Sequence, residues 1–151
     1  MYEVKYEDLR GNIINENEAL ENGNYYKSYY ENNIIVKTEI VKNKEILNVH
    51  YFYIEKEDLS KNVQQHINNY KNVSACFHNK LEKVNEDCFR ERMNLYNEGK
   101  MDKIEDNYID AEGNELKNIT YKIEGEKLIP VFEIEYSFDE YGDVIEKYKK
   151  Y

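Results

Sequence analysis

Three times in this chain an aspartate is followed, three residues on, by glycine, then by asparagine or aspartate, and two positions after that by isoleucine or leucine. The copies run from Asp8 to Ile14 around Gly11, from Asp110 to Leu116 around Gly113, and from Asp139 to Ile145 around Gly142. Looser versions stand at Glu21-Asn22-Gly23-Asn24 and Glu31-Asn32-Asn33-Ile34. This order of residue types describes a hairpin turn. The acid and the asparagine hydrogen-bond to the amides of the bend, glycine accepts a positive φ, and the apolar residue opens the next strand. The irregular spacing of the copies argues against a uniform solenoid.

Between the turns the side chains alternate as half-buried strands do. Asn24–Tyr30, Ile34–Val41 and Ile46–Ile54 read as a three-stranded meander, with Ile34, Val36, Thr38 and Ile40 on one face of the second strand and Leu47, Val49, Tyr51 and Tyr53 on one face of the third. Near the other end Ile119, Tyr121 and Ile123 alternate, then, past Glu124-Gly125-Glu126, Phe132, Ile134, Tyr136 and Phe138 do so within Val131–Phe138, and Val144–Tyr148 makes a last strand. Pro130 lacks an amide donor and belongs at a strand start or a sheet edge.

In the middle the period changes. Leu59, Val63, Ile67 and Tyr70, and then Leu81, Val84, Cys88, Phe89, Arg92 and Tyr96, recur at helical spacing, which predicts helices over 57–70 and 79–98 with Gly99 closing the second. Val73, Phe77 and Leu81 would also carry the stripe through as one long rod; a break near Asn72 is the preferred reading. The expected fold is therefore α+β in one domain over 1–151: a β-meander arm over 1–54, a helical segment over 55–99 packed against sheet, and a second antiparallel meander arm over 100–151.

Strings of Tyr-x-x-x-Gly-Asn hairpins of this kind resemble the MORN-like repeats of certain bacterial antitoxins, and the acidic, Asn/Lys/Ile/Tyr-rich composition is similar to that of immunity proteins of bacterial toxin systems. The resemblance covers 6–54 and 108–148. It implies a protein that neutralises a toxin, and it assigns no individual residue a role.

Charge narrows the partners. Of thirty-one acids against twenty-one bases, residues 1–50 hold nine and six, while residues 101–151 hold fourteen and seven. Without a basic run to engage phosphates, nucleic acid is excluded as an expected partner, and a basic protein is the electrostatic complement. The acidic face expected to meet it comprises Glu133, Glu135, Asp139, Glu140 and Asp143, with Glu105, Asp106 and Asp110 as an extension. Apolar runs are too short to span a membrane as a helix, and the first residues, MYEVKYEDLR, lack the apolar stretch of a signal peptide, so a soluble, cytoplasmic protein with reduced thiols is expected. Sixteen tyrosines and no tryptophan make the apolar surface largely phenolic.

Reactive groups are few. Cys76 and His78, with Cys88 and His66, suggest a metal, yet the paired ligands of structural zinc sites are missing; cofactors and metal are accordingly expected to be none. Cys88 falls on an apolar stripe where a thiol is inert, His50 lies opposite the apolar face of its strand and is expected to be exposed, and no glycine-rich phosphate loop exists. The expectation is a non-catalytic protein-binding module of the immunity or antitoxin type. The alternatives are a structural protein that self-assembles, as a homodimer or more, through edge strands, and a small metal-dependent enzyme.

Overall fold

The computed structural model describes residues 2–151, and the hairpin turns govern it. In each full copy the aspartate carboxylate does the same work: Asp110 Oδ1 accepts from the amides of Glu112 and Asn114, while Gly113 takes φ 87°. Asp8 and Asp139 repeat the pattern with Arg10 and Asn12, and with Tyr141 and Asp143. Asn12 and Asn114 also return a side-chain bond to the second carboxylate oxygen, which Asp143 has no amide group to make. Two-residue turns serve elsewhere, with Asn32 and Asn33, and Asn43 and Lys44, all at positive φ, the backbone that matches the twist of the strands they join.

These turns link β1 (Glu3–Glu7), β2 (Ile13–Ile14), β3 (Tyr25–Glu31), β4 (Ile34–Lys42), β5 (Glu45–Ile54), β6 (Ser74–Asn79), β7 (Glu82–Asn85), β8 (Cys88–Asn97), β9 (Lys100–Ile109), β10 (Glu115–Glu124), β11 (Lys127–Phe138) and β12 (Val144–Lys150). All twelve belong to one sheet, ordered β12-β11-β10-β9-β8-β6-β5-β4-β3-β1-β2, with β7 paired to β8 off this path. Every pairing is antiparallel except β5 with β6. That parallel pair needs a crossover, made by a 3-10 turn (Lys56–Asp58) and helix α2 (Leu59–Tyr70).

The α+β expectation is corrected here. Two meander arms do not flank a helical middle: they are parts of one sheet, and the segment predicted as a helix over 79–98 is β7 and β8. The helical reading arose because Leu81, Val84, Cys88, Phe89, Arg92 and Tyr96 fit a helical stripe. As a strand between two neighbours, however, β8 carries polar and apolar residues on both faces, so neither face shows a clean period of two. Gly99 belongs to the β8–β9 turn, at φ 84° beside Glu98 at φ 50°, and does not close a helix. The helix predicted over 57–70 is present, and it stops at Lys71 (φ 55°) before β6, which settles the break against the single rod.

A second departure lies near the N-terminus. Glu21-Asn22-Gly23-Asn24 is no hairpin: Gly23 (φ 80°) ends helix α1 (Glu16–Asn22), whose start is capped by the Asn15 side chain accepting from the Glu18 amide.

Both helices cover the same face of the sheet. Val41 of β4 packs with Ala19 of α1, and Glu39, two residues before it, points at Tyr70 of α2. Under α2 lies the main core, Ile54, Ala75, Phe77 and Tyr96, closed by Leu59, Val63 and Ile67. Strands β11 and β12 extend beyond either helix, and every residue of β12 is exposed. The asymmetry predicts unequal mutational costs. Phe77→Ala, at a site with no exposure, should destabilise by about 3–5 kcal/mol in urea unfolding, whereas Phe138→Ala should stay within about 0.5 kcal/mol. Equal losses would contradict a main core that lies under α2.

Candidate functional site

The parallel crossover sets which side chains meet. His50 of β5 lies in register with Cys76 of β6, and Tyr51 with Phe77. Tyr51 and Phe77 stack beneath α2, with centroids 4.9 Å apart and planes at 5°. Their neighbours His50, Phe52, Cys76 and His78 therefore point to the opposite face, which no helix covers.

Beneath α2 the polar groups are fully employed. His66, with no exposure, sits among the rings of Tyr51, Tyr70, Phe77 and Tyr96. Its Nε2 lies 2.7 Å from the Val73 carbonyl, which can only accept, so Nε2 carries the proton and Nδ1 accepts from the Tyr51 hydroxyl at 2.6 Å. Burial holds His66 below its ordinary pKa and so keeps it neutral. The carboxylate of Glu39 receives Tyr29 on one oxygen and Tyr70 on the other, both at 2.7 Å, and Lys37 donates to Tyr70 at 2.8 Å. Burial, with Glu39 alongside, raises both phenols above their ordinary values. These bonds fasten α2 to the sheet and leave His66 unable to serve as the metal ligand its sequence position suggested.

On the uncovered face a second chain of polar groups runs across three strands. His50 Nδ1 lies 2.9 Å from His78 Nε2, and His78 Nδ1 lies 2.9 Å from Glu91 Oε1 on β8. The Asn48 amide donates to His50 Nε2 at 3.4 Å. One arrangement of protons satisfies all three: His50 Nδ1–H donates to His78 Nε2, and His78 Nδ1–H donates to the Glu91 carboxylate. Phe52 stacks on His78 with centroids 4.9 Å apart. Burial, then the neighbouring His78, pushes His50 down to about 4. The bond from His78 lowers Glu91, and burial followed by the charges of Glu105 and Glu91 pushes the Cys76 thiol up to about 12. Cys76 Sγ and a ring nitrogen from each of His50 and His78 all lie within 4.8 Å of one another. A cavity of about 440 Å³ opens beside them, lined by His50, Cys76, Met93, Leu95 and Glu105 among others.

The sequence paired Cys76 and His78 correctly but not their companions. Cys88 lies on the α2 side of β8 with Arg90, Arg92 and Asn94, away from Cys76, and both thiols are free. His50, expected to be exposed, is half-buried and completes the cluster. The signal that could have found it was its position opposite the apolar face of β5 combined with a parallel register, which only a helix between the strands implies.

The five carboxylates of the expected acidic face stand on β11 and in the turn that follows it. Glu133 stands in register with Ile119 and Lys149, and Glu135 with Lys117 and Lys147, so lysines flank both carboxylates. Asp139 binds its own turn, as described above, and Glu140 and Asp143 are exposed in the same turn. Asp106 is fully buried and engaged by Arg92 through two bonds of 2.7 and 2.8 Å, which removes it from any surface. Asp110 holds the second full turn, and Glu105 lies at the cavity by Cys76.

No protein-family model, no curated protein and no solved structure matches this chain.

The lowered pKa of His50 carries a sign. The ring is neutral in the fold but protonates near pH 6.5 in the unfolded chain, so its stabilising share is present above pH 6.5 and is lost as pH falls toward about 4. Unfolding of the protein and of His50→Gln, compared at pH 7 and pH 4.5, should show the difference between them shrinking at the lower pH. A constant difference would contradict a neutral, buried His50.

Proposed function

We propose that this chain is a non-catalytic protein-binding module of the immunity or antitoxin kind, which neutralises a basic partner by covering its working surface with the C-terminal end of the sheet. The observation that supports this reading most is the composition of the β11–β12 hairpin. Phe138, Val144 and Tyr148 are exposed on one face of it together with Glu146, Ile145 is exposed on the other face, and Tyr141, 82% exposed, stands in the turn beside Glu140 and Asp143. An apolar patch set among acids is what a basic protein surface with an apolar centre would fit, because rings supply contact area while carboxylates steer the approach.

The outer edge of β12 is unpaired, yet Lys147, Lys149 and Lys150 stand along it. Lysines on an edge discourage pairing with a second copy of the same strand, which favours a different protein over self-assembly.

The test is a pull-down with the product of the neighbouring gene. Capture at low salt, weakening as ionic strength rises, is expected. Tyr141→Ala, and the double change Glu140→Lys with Asp143→Lys, should each weaken binding at least about tenfold, in the range of interface anchor residues. Asp139 is omitted because its loss would open the turn. No capture at low salt, or affinity indifferent to these changes, would overturn the reading, and light scattering that reports a concentration-dependent dimer would favour the edge-pairing alternative.

A further inference from the structure

The uncovered face holds an arrangement that the protein-binding reading does not use. Two imidazoles and a thiol converge within 4.8 Å, and the second nitrogen of His78 is held by a carboxylate. In such a carboxylate–histidine pair the acid fixes the ring's tautomer and orientation and raises the basicity of the opposite nitrogen. With its proton on Nδ1 facing Glu91, His78 presents the Nε2 lone pair to the space between His50 and Cys76. We propose that His50, Cys76 and His78 bind one divalent transition-metal ion of the zinc class, with Glu91 positioning His78 and a fourth coordination position open toward the cavity along Met93 and Leu95.

The donor set selects the class of ion. Imidazole with thiolate suits zinc and its neighbours and disfavours magnesium or calcium, which take oxygen ligands. Tetrahedral geometry sets the shifts that binding requires: with Zn–S at ~2.3 Å the sulfur must stand ~3.6 Å from each nitrogen, against separations of up to 4.8 Å here. Tetrahedral bonds of ~2.0–2.1 Å place two ligand nitrogens ~3.3 Å apart, so the 2.9 Å between His50 Nδ1 and His78 Nε2 must open by a few tenths of an ångström. Side-chain rotation supplies that shift, because strand pairing fixes the backbone of β5 and β6 but not the rings.

His50 gives up the proton between the two rings at Nδ1 and takes one at Nε2, which displaces the Asn48 Nδ2 donor, the Asn48 oxygen staying on the Val49 amide. The Cys76 thiol loses its proton to solvent as the sulfur–metal bond forms. One proton is therefore released per ion bound, and affinity falls as pH is lowered.

The rigid strand placement and the carboxylate behind His78 distinguish this cluster from a chance meeting of surface groups. Cys76 is only 5% exposed, so the sulfur approaches an ion from within the sheet and the open position faces outward. Such a geometry, three protein ligands and one vacant place, suits either a fourth ligand from a bound partner or a small anion.

The experiment is titration of the full chain with Co²⁺, then displacement by Zn²⁺. One ion per chain is expected, with tetrahedral visible bands and a near-ultraviolet thiolate-to-cobalt band. Cys76→Ser should abolish the thiolate band and Cys88→Ser should leave it intact. Glu91→Gln should keep the band while weakening zinc about 10–100-fold against a competing chelator, with the melting temperature of the metal-free variant unchanged. Because a serine at buried Cys76 could prevent folding, X-ray absorption on the zinc-loaded wild-type protein reads the ligands directly: one sulfur and two imidazoles. Absence of stoichiometric binding, a first shell without sulfur, or a thiolate band that survives Cys76→Ser would overturn the proposal. None of these outcomes bears on the pull-down, so the two readings fail separately.

Discussion

The parallel pairing of β5 with β6 obliges the chain to travel back along the sheet between the two strands, and α2 makes that journey. It is the one place where neighbouring strands of the sheet run parallel, and a parallel neighbour cannot be reached by a tight turn. Its helix is fastened by hydrophobic contacts from Leu59, Val63 and Ile67, and by a buried histidine whose two nitrogens are both satisfied. A polar group so buried costs stability unless it is bonded on every side, and His66 is. The stack of Tyr51 on Phe77 beneath it locks the register from which the rest of the sheet is extended.

That register has a consequence on the far side of the same strands. Residues alternate across a strand, so fixing Tyr51 and Phe77 under α2 sends His50, Phe52, Cys76 and His78 to the uncovered face. The two faces of β5 and β6 thereby do different work: one holds the fold together, and the other gathers His50, Cys76 and His78, with burial lowering the pKa of His50 and raising that of Cys76. Farther out, past β9, no helix lies over the sheet; most of β11 is half-buried and every residue of β12 is exposed. Exposure thus rises along the sheet from the strands under α2 to β12.

The hairpins could be read from the chain because their chemistry is local. Asp8, Asp110 and Asp139 each bond to amides two and four residues on, so the turn is specified within a few residues and survives whatever surrounds it. The strands of the C-terminal meander were legible for the same reason. Strand β8 was not. Its apolar residues answer to β6, β7 and β9 on its two edges and to α2 above it, constraints that lie elsewhere in the chain and imitate a helical stripe when seen in isolation. The Cys76–His78 pair was visible as a spacing, whereas its partners His50 and Glu91 arrive from other strands, twenty-six residues before Cys76 and thirteen after His78. The carboxylates on β11 were visible in the same way, whereas the lysines opposite them come from β10 and β12.

Native-state hydrogen exchange tests most directly whether the α2-covered crossover anchors the sheet. Amides of β5, β6 and β8 should exchange most slowly, only through global unfolding, with protection falling through β9 and β10 to a minimum in β12. Uniform protection along the sheet, or the slowest exchange in β10–β12, would contradict the account.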